Sequence, residues 1–286
     1  MIQSMTGFGK ATLQLPNKKI TVEVKSLNSK GLDLNVRIPS VYREMELGLR
    51  NQLSTVLERG KVDFSIFMEN TTEQTSTKVN VPIVKAYIAQ LREVYAEADE
   101  TELMKMAVRM PDALKTEREE IDENDWSLIQ KVIDEALENM QSFRVAEGTS
   151  LEREFLHRIA NIMTLMNATV ALDSERIETV KTRLRTAIDE LKVNIDDNRF
   201  EQELIFYLEK YDITEEKVRL ENHLHYFIET IAGKEANGRK LGFITQEMGR
   251  EINTMGSKSN HAQMQKLVVQ MKDELEKIKE QVLNVL

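Results

Sequence analysis

The stretch ITVEVKSLNSKGLDLNVRI, residues 20–38, decides the class of fold in the first part of the chain. In both halves of it apolar residues alternate with polar ones: Ile20, Val22 and Val24, then Leu32, Leu34, Val36 and Ile38. A period of two is the pattern of a β-strand that buries one face. The LNSKG between the halves contains the residues of a reversing turn. The stretch therefore predicts two strands of an antiparallel sheet.

The sequence on both sides extends this sheet. MTGFGKATLQL before it and RGKVDFSIFME after it read as further strands, and residues 44–59 between them have helical apolar spacing. Gly7 and Gly9 flank Phe8, which indicates a bulge or a close approach of another backbone. These elements predict an antiparallel sheet domain with a covering helix.

The chain becomes helical from Pro82 onward. Residues 82–97 predict a helix opened by proline, and residues 97–125, with eleven acidic and four basic side chains, predict a solvated loop or lid. Asp125 is expected to cap a helix from Trp126 to about Phe143, and the apolar spacing over 151–191 predicts a long, coiled-coil-like helical hairpin. The predicted class is α+β, with an N-terminal α/β domain (1–150), a helical connector (151–200) and a C-terminal helical domain (201–286).

Composition narrows the possible functions. The chain of 286 residues has no cysteine, which excludes disulfides, thiolate zinc sites and thiol nucleophiles. The first residues lack the pattern of a signal peptide and no apolar run could span a bilayer, so we expect a cytoplasmic protein without a membrane partner. The net charge of −9 disfavours nucleic acid as a partner. Residues 239–258 nevertheless carry four bases against two acids, and a phosphate chain responds to the local field.

The last helix carries a heptad repeat. Its apolar residues follow steps of four and three: Met264, Val268, Met271, Leu275, Ile278, Val282 and Val285. Such a seam needs a partner, which is either another helix of the same chain or a second subunit. We expect it to stabilise a homo-oligomer.

The candidate chemistry lies on the polar faces of two helices. Glu216, Arg219 and His223 form one stripe, and Glu247 and Glu251 stand one turn apart. Ion pairs on a wet surface would give the same spacing. Carboxylates near Arg250, Lys240 and Lys258 would also suit Mg²⁺ or Mn²⁺, which bind oxygen ligands and phosphates, with His223 as a ligand or general base.

Seven ordered blocks bear a resemblance to a known family. They are MIQSMTGFG, VEVKSLNSKGLDL, RIPSVYREMELGLR, LERGKV, DITEEKVRLENHL, GRKLGFITQEMGREINTMGSKS and EQVLNVL. The sequence resembles the YicC/YloC family of bacterial endoribonucleases over essentially the whole chain. The resemblance implies a metal-dependent endoribonuclease that cleaves single-stranded RNA, assembles as a homo-oligomer (a hexamer) and works alongside RNA-decay enzymes in the turnover of small RNA and mRNA. The family usually has an acid in place of Gly242, an amide in place of Gly249, and AND in place of Ser259, Asn260 and His261.

The resemblance assigns roles to individual residues. Metal ligands would be Glu216, His223, Glu247 and Glu251, and the catalytic group would be His223, Glu247, Glu251 and Arg250. RNA would be held by Lys25, Asn28, Arg37, Arg59 and Lys61 of the sheet domain and by Arg219, Arg239, Lys240, Asn253, Ser257 and Lys258 of the helical domain. Either water or the 2′-hydroxyl of the RNA could be the nucleophile. A second hypothesis is an oligomeric RNA-binding adaptor that recruits another ribonuclease, because binding to the RNA backbone needs no catalytic residues.

Overall fold

The computed structural model describes residues 2–71, 77–116, 123–191, 197–233 and 238–286. Its first part contains the strands β1 (Gly7–Gln14), β2 (Lys18–Leu27), β3 (Leu32–Arg37) and β4 (Gly60–Asn70). A 3₁₀ helix (Ser40–Met45) and the helix α1 (Glu46–Val56) lie between β3 and β4. The α+β class predicted from the sequence is confirmed.

The four strands form one sheet in the order β1-β2-β4-β3. β1 with β2 and β2 with β4 pair antiparallel, whereas β3 and β4 pair parallel. The prediction of a purely antiparallel sheet was therefore wrong for one edge strand. LNSKG does not join two neighbouring strands, because β4 is inserted between β2 and β3. The helix predicted between β3 and β4 is the crossover that parallel strands require.

A small subdomain follows the sheet. It consists of β5 (Thr77–Val79), α2 (Val81–Val94), α3 (Glu100–Ala107) and β6 (Leu114–Thr116), with β5 and β6 antiparallel. The acidic segment was predicted as a loop or lid, but it contains α3 and β6. Asp99 caps α3 by accepting a hydrogen bond from the Glu102 amide, and Ala107 packs in a small core with Val84. Residues 117–122 of the same prediction lie outside the described residues.

The helix α4 (Glu123–Ala171) connects two hydrophobic cores. Its first half packs Ile129, Ile133 and Met140 against the sheet, and its second half packs Phe155 and Ile162 in the core of the C-terminal helices. The predicted boundary at residue 150 falls inside α4, and the boundary at residue 200 falls inside α6 (Asp197–Lys210). The three-domain division remains a prediction.

α4 is followed by α5 (Asp173–Leu191) after the single residue Leu172. A helical hairpin needs a loop of about two to five residues. The hairpin predicted over residues 151–191 was therefore wrong, and the chain forms one long bent helix there. No helix in the described ranges is long and apolar enough to cross a membrane.

The C-terminal bundle consists of α7 (Thr214–Ala232), α8 (Gly238–Lys258) and α9 (Ala262–Val282). All seven apolar residues of the heptad seam are buried, and α9 packs on α4 and α8. The seam has its partner within the chain, because it fits the apolar stripe of α4. The expectation that this seam holds subunits together is therefore wrong, and the heptad repeat gives no evidence for a homo-oligomer.

The N-terminal segment packs closely on α4 and on the C-terminus. A Cβ atom at Gly9 would lie 2.0 Å from the Ala136 carbonyl oxygen, which confirms the close backbone approach predicted around Phe8. The Met5 amide donates to the Asn284 carbonyl oxygen over 2.7 Å, and the Leu286 amide donates to Gln3 over 2.9 Å. Two sequence blocks from opposite ends of the chain thus pair with each other.

Candidate active site on helices α7 and α8

Helices α7 and α8 pack side by side and run antiparallel. Glu216 lies in the first turn of α7, and its carboxylate accepts a hydrogen bond of 2.7 Å from Lys258, the last residue of α8. α8 continues through Gly256 and Ser257 and ends at Lys258. The contact joins the blocks DITEEKVRLENHL and GRKLGFITQEMGREINTMGSKS, so the two candidate stripes lie on neighbouring helices.

Glu216 is a buried carboxylate with one partner. Its Oε1 bonds to Lys258, while its Oε2 is buried and has no hydrogen bond within the described residues. The expected Glu216–Arg219 ion pair is not formed. Arg219 instead pairs with Glu215, one turn before it on the exposed side of α7. The i, i+3 spacing of Glu216 and Arg219 could not show that Glu216 turns toward α8.

Arg176 of α5 fixes this end of the helix pair, and the sequence analysis missed it. Its guanidinium is buried, donates to the carbonyl oxygens of Tyr211 (2.8 Å) and Lys258 (3.1 Å), and pairs with Asp173 (2.8 Å). An arginine in an otherwise charged helix gives no signal of this role. It ties the C-terminal end of α8 to the segment that leads into α7.

Asp212 precedes Ile213, the N-cap residue of α7, and its side chain contacts the first helical residue. Its carboxylate accepts hydrogen bonds from the Thr214 hydroxyl (2.7 Å) and the Thr214 amide (3.0 Å). These two bonds lower the pKa of Asp212, with smaller contributions from the charges of Lys258 and Arg176. The α7 end of the site therefore keeps a carboxylate in its charged form.

The two glutamates of α8 have different environments. Glu247 is partly exposed and accepts a hydrogen bond of 2.7 Å from Arg250, which is itself largely exposed. Glu251 is only 9% exposed, and no hydrogen bond or ion pair joins it to another described residue. Its carboxylate oxygens reach solvent, unlike Oε2 of Glu216, so Glu251 presents a carboxylate without an ion pair at the surface of the helix pair.

The helix register relates Glu251 to His223. His223 lies seven residues after Glu216 on α7, and Glu251 lies seven residues before Lys258 on α8. Because the helices run antiparallel, His223 and Glu251 stand at the same level, about two turns from the Glu216–Lys258 pair. His223 is partly buried. The structure thus brings the two predicted stripes onto facing helices.

Only some of the predicted metal ligands lie close enough together to bind one ion. Among the described residues, no three His, Asp or Glu side chains cluster closely enough to hold an ion together. The set of Glu216, His223, Glu247 and Glu251 therefore does not form a closed cage in one chain. Glu251 without a partner, one turn from Glu247, fits an ion such as Mg²⁺ that binds one or two carboxylates and keeps its other positions for water and phosphate.

The other predicted RNA-binding residues of α8 lie on its exposed side. They are Arg239, Lys240, Asn253 and Ser257. Lys240 places its Nζ 4.7 Å from the ring centroid of Tyr226 on α7, and Ser257 donates to the Thr254 carbonyl oxygen over 2.8 Å. These side chains add donors and positive charge to the exposed surface of α8.

The predicted RNA-binding residues of the first domain lie around one end of the sheet. Lys25, Arg37 and Lys61 are exposed side chains on strands, and Asn28 is exposed in the loop after β2. Arg59 instead holds that loop, because its Nε donates to the Ser29 carbonyl oxygen over 2.9 Å.

The two glycine departures have little effect on the helix packing. A Cβ at Gly242 would meet its nearest neighbour, Val282, at 3.9 Å. A Cβ at Gly249 would meet Leu275 and Lys279 at 3.5 Å. Both are ordinary van der Waals contacts, so neither glycine is required for close packing.

Both parts of the chain match a known family of proteins. Residues 2–153 match the family model described as endoribonuclease YicC-like, N-terminal region, and residues 169–286 match the model described as endoribonuclease YicC-like, C-terminal. The chain belongs to the YicC-like endoribonuclease family. It is 34% identical over 293 residues to the probable endoribonuclease YicC of Clostridioides difficile and 28% identical over 288 residues to that of Haemophilus influenzae. Both alignments cover the whole of each chain, and the two family matches contain the sheet and the α7–α8 pair respectively.

Proposed function

We propose that the protein is an endoribonuclease that cleaves single-stranded RNA with a divalent metal ion at the α7–α8 site. Family membership supports the class of activity. The observation that supports the location is the Glu251 carboxylate, which reaches solvent on a mostly buried side chain, has no partner among the described residues and lies at the same level as His223. A carboxylate in this position is available to bind a cation.

Each residue has a role that its environment allows. His223 is the general base or acid, because imidazole can take and return a proton near neutral pH. Arg250 is exposed and can swing from Glu247 toward a phosphate, where its fork of donors would stabilise the extra charge of the transition state. Lys258 and Arg176 fix the ends of the two helices and thereby orient these groups.

Glu251 and Glu247 would hold the Mg²⁺ or Mn²⁺ ion. Glu216 is about two turns away and bound to Lys258, so it would not reach the same ion. When bound, the ion would polarise the scissile phosphate and neutralise part of its charge. The carboxylates of the chain would position it. The cations Arg239, Lys240 and Lys258 and the polar side chains of Asn253 and Ser257 would position the RNA backbone. Arg219 is held by Glu215 on the outer side of α7 and would contact RNA only after leaving that ion pair.

The test is cleavage of a labelled single-stranded RNA by the purified protein with Mn²⁺, with Mg²⁺ and with EDTA. We expect cleavage with either metal and none with EDTA. Glu251→Gln should abolish it, whereas Glu229→Gln, an exposed glutamate of α7, should not. Cleavage by the wild type that persists in EDTA would exclude the metal. A 2′,3′-cyclic phosphate at the product end would identify the 2′-hydroxyl as nucleophile, and a 5′-phosphate would identify water.

The same experiment separates the enzyme from an RNA-binding adaptor. An adaptor would bind the RNA, and any cleavage in the preparation would be unchanged by Glu251→Gln. Light scattering on the same sample tests the proposed homo-oligomer, which the family resemblance implies to be a hexamer. It should give a mass several times 33.0 kDa.

A further inference from the structure

The N-terminal sheet has one covered face and one open face. α1 and α4 cover the face that carries Val22, Phe64 and their neighbours. The alternate side chains point to the other side, where Phe8 is 40% exposed, Leu27 is 57% exposed and Phe67 is 51% exposed. Exposed aromatic rings on an uncovered sheet face indicate a binding surface.

The strand register locates the two rings. Phe8 on β1 stands opposite Lys25 on β2, and Lys25 stands opposite Asp63 on β4. Phe67 is four residues further along β4 and stands opposite Thr21. Two strand spacings and four residues along the strand separate the rings by about 16 Å. Each ring therefore offers a separate stacking surface.

The charges on this face favour a polyanion. Glu23 pairs with two lysines of the same face, and Asp63 accepts a hydrogen bond of 2.8 Å from Asn35. The nearer of the two lysines, at 2.9 Å, is the main cause of the lowered pKa of Glu23. Lys61 and Arg37, in contrast, have no ion pair with any residue that the structure describes. The other two acids of this face, Asp33 and Glu69, stand opposite Lys61 and Lys19 in the strand register. The face therefore carries five bases against four acids, a net excess of one positive charge.

One of the rings already binds a cation. The Lys25 Nζ lies 5.6 Å from the centroid of the Phe8 ring, within the range of a cation–π contact. This lysine keeps a positive charge beside the ring, where the phosphate of a stacked nucleotide would lie. Aromatic rings with adjacent cations are the usual equipment of single-strand binding surfaces.

The composition of the face argues against a protein partner. Its three large apolar side chains, Phe8, Leu27 and Phe67, are spread over three strands with threonine, serine and charged residues between them. The centre of a protein interface is a contiguous patch depleted in charge. Separate rings on an open sheet are instead how several RNA-binding sheets stack two or three bases.

We propose that the open face of the sheet binds single-stranded RNA by stacking bases on Phe8 and Phe67, with Lys61 and Arg37 contacting phosphates. The proposal rests on the proposed function, because it assumes that RNA is the substrate of the α7–α8 site. It adds a base-stacking surface in the other domain, which would give the enzyme affinity for unpaired bases and not only for the RNA backbone.

The test is the affinity of a fluorescein-labelled oligoadenylate for the protein in EDTA, which removes metal-dependent cleavage. Stacking is worth about 1–3 kcal/mol per base, so Phe8→Ala and Phe67→Ala should each weaken binding at least about fivefold. The double variant should approach the product of the two effects. Phe67→Trp should retain affinity and Phe67→Leu should not, because only a ring can stack. Phe206→Ala, a similarly exposed phenylalanine on α6, is the matched control.

Salt dependence distinguishes stacking from phosphate contacts. Phe8→Ala and Phe67→Ala should leave the slope of log affinity against log salt unchanged. Lys61→Ala should reduce the slope by about 0.7, the value for one phosphate contact on a single strand. A misfolded variant would be recognised by a lowered thermal midpoint, so the thermal midpoint of each variant is measured alongside its salt slope.

Three results would overturn the proposal. If the wild type does not bind the oligoadenylate in EDTA but cleaves labelled RNA with Mn²⁺, the stacking surface fails while the proposed function stands, and if it also fails to cleave, both fail. If the wild type binds and both alanine variants bind equally well, the stacking surface fails while the proposed function stands. If Phe67→Ala instead lowers the mass measured by light scattering, the face is an interface with a second copy of the chain.

Discussion

Lys258 and Glu216 are 42 residues apart in sequence and 2.7 Å apart in the structure. The contact joins the last residue of α8 to the first turn of α7, where the Glu216 side chain is almost fully buried and its second oxygen has no partner among the described residues. Lys258 was predicted to bind phosphate. Its position indicates an additional structural role, because it is the counter-ion of a buried carboxylate.

Removing Lys258 should therefore reduce stability as well as RNA affinity. Lys258→Ala would leave Glu216 buried and unpaired, at a cost of up to about 3–5 kcal/mol for a fully buried pair and less here because Lys258 is partly exposed. Urea denaturation should show the loss. Glu216→Gln combined with Lys258→Ala should recover most of it. If Lys258→Ala unfolds at the wild-type urea concentration, Lys258 contributes only to RNA binding.

Two glycines of α8 should respond in opposite ways to alanine. Gly249→Ala adds a methyl group at ordinary contact distance and removes the helix penalty of glycine, so it should stabilise the protein by up to about 1 kcal/mol. Gly256→Ala would place its Cβ 2.9 Å from Val268 on α9 and should destabilise by about 1–3 kcal/mol through overpacking. Thermal unfolding followed by circular dichroism measures both. A loss of stability in Gly249→Ala would mean that α8 needs a flexible point there.

The sequence predicted the elements of the sheet domain better than their arrangement. Alternation located β2 and β3, and apolar spacing located the helix before β4, because these patterns are local. The parallel pairing of β3 with β4 arises because β4 is inserted between β2 and β3. A turn such as LNSKG does not specify whether the two strands that it joins are neighbours in the sheet.

The length of α4 and the partner of the α9 seam were also not predictable from local patterns. The apolar stripe of α4 changes from a sheet partner to a helical partner near Leu151 without a break in the helix. The heptad repeat of α9 indicates that this helix packs on another helix, but not whether that helix belongs to the same chain. The packing of α9 on the apolar stripe of α4 answers the question, and it is visible only in the structure.

The sequence predicted which residues lie at the candidate site, but not which side chains pair with each other. Spacing placed Glu247 and Glu251 on one helix, yet it could not show that Arg250 binds the first while the second is buried. Arg176 was missed because its contacts are to backbone carbonyl groups of two distant segments. Contacts with a backbone leave no residue-type signature in a sequence.

The contact between α4 and α9 should weaken in acid. Burial alone would raise the pKa of Glu274, but hydrogen bonds from Lys277, Asn161 and Arg158 outweigh it and lower the pKa to about 2. A lowered carboxyl pKa contributes stability above the unfolded value near 4.5, and this contribution is lost as pH falls toward 2. Glu274→Gln should therefore cost about 2–3 kcal/mol at pH 7.

The difference between wild type and Glu274→Gln should shrink between pH 4.5 and pH 2, as urea denaturation at a series of pH values would show. Glu276→Gln is the control on the same helix, because that glutamate is mostly exposed in its ion pair with Lys279. A stability difference that is constant over the whole pH range would indicate that Glu274 acts through packing and not through its charge.

Glu251 and His223 should separate activity from stability. Because the Glu251 carboxylate reaches solvent and pairs with no other described residue, the neutral amide of Glu251→Gln removes no ion pair or hydrogen bond, and the variant should unfold close to the wild-type temperature. The same variant should lose metal-dependent cleavage while binding RNA as tightly as the wild type or more tightly, because a negative charge near the phosphates is gone. His223→Ala should also lose cleavage with the fold intact.

Cleavage rates, oligonucleotide affinity and thermal midpoints measured on the same preparations give the comparison, with Glu229→Gln as the control. If Glu251→Gln destabilises the protein and both variants cleave at the wild-type rate, Glu251 has an unrecognised structural partner and the reaction takes place elsewhere on the chain.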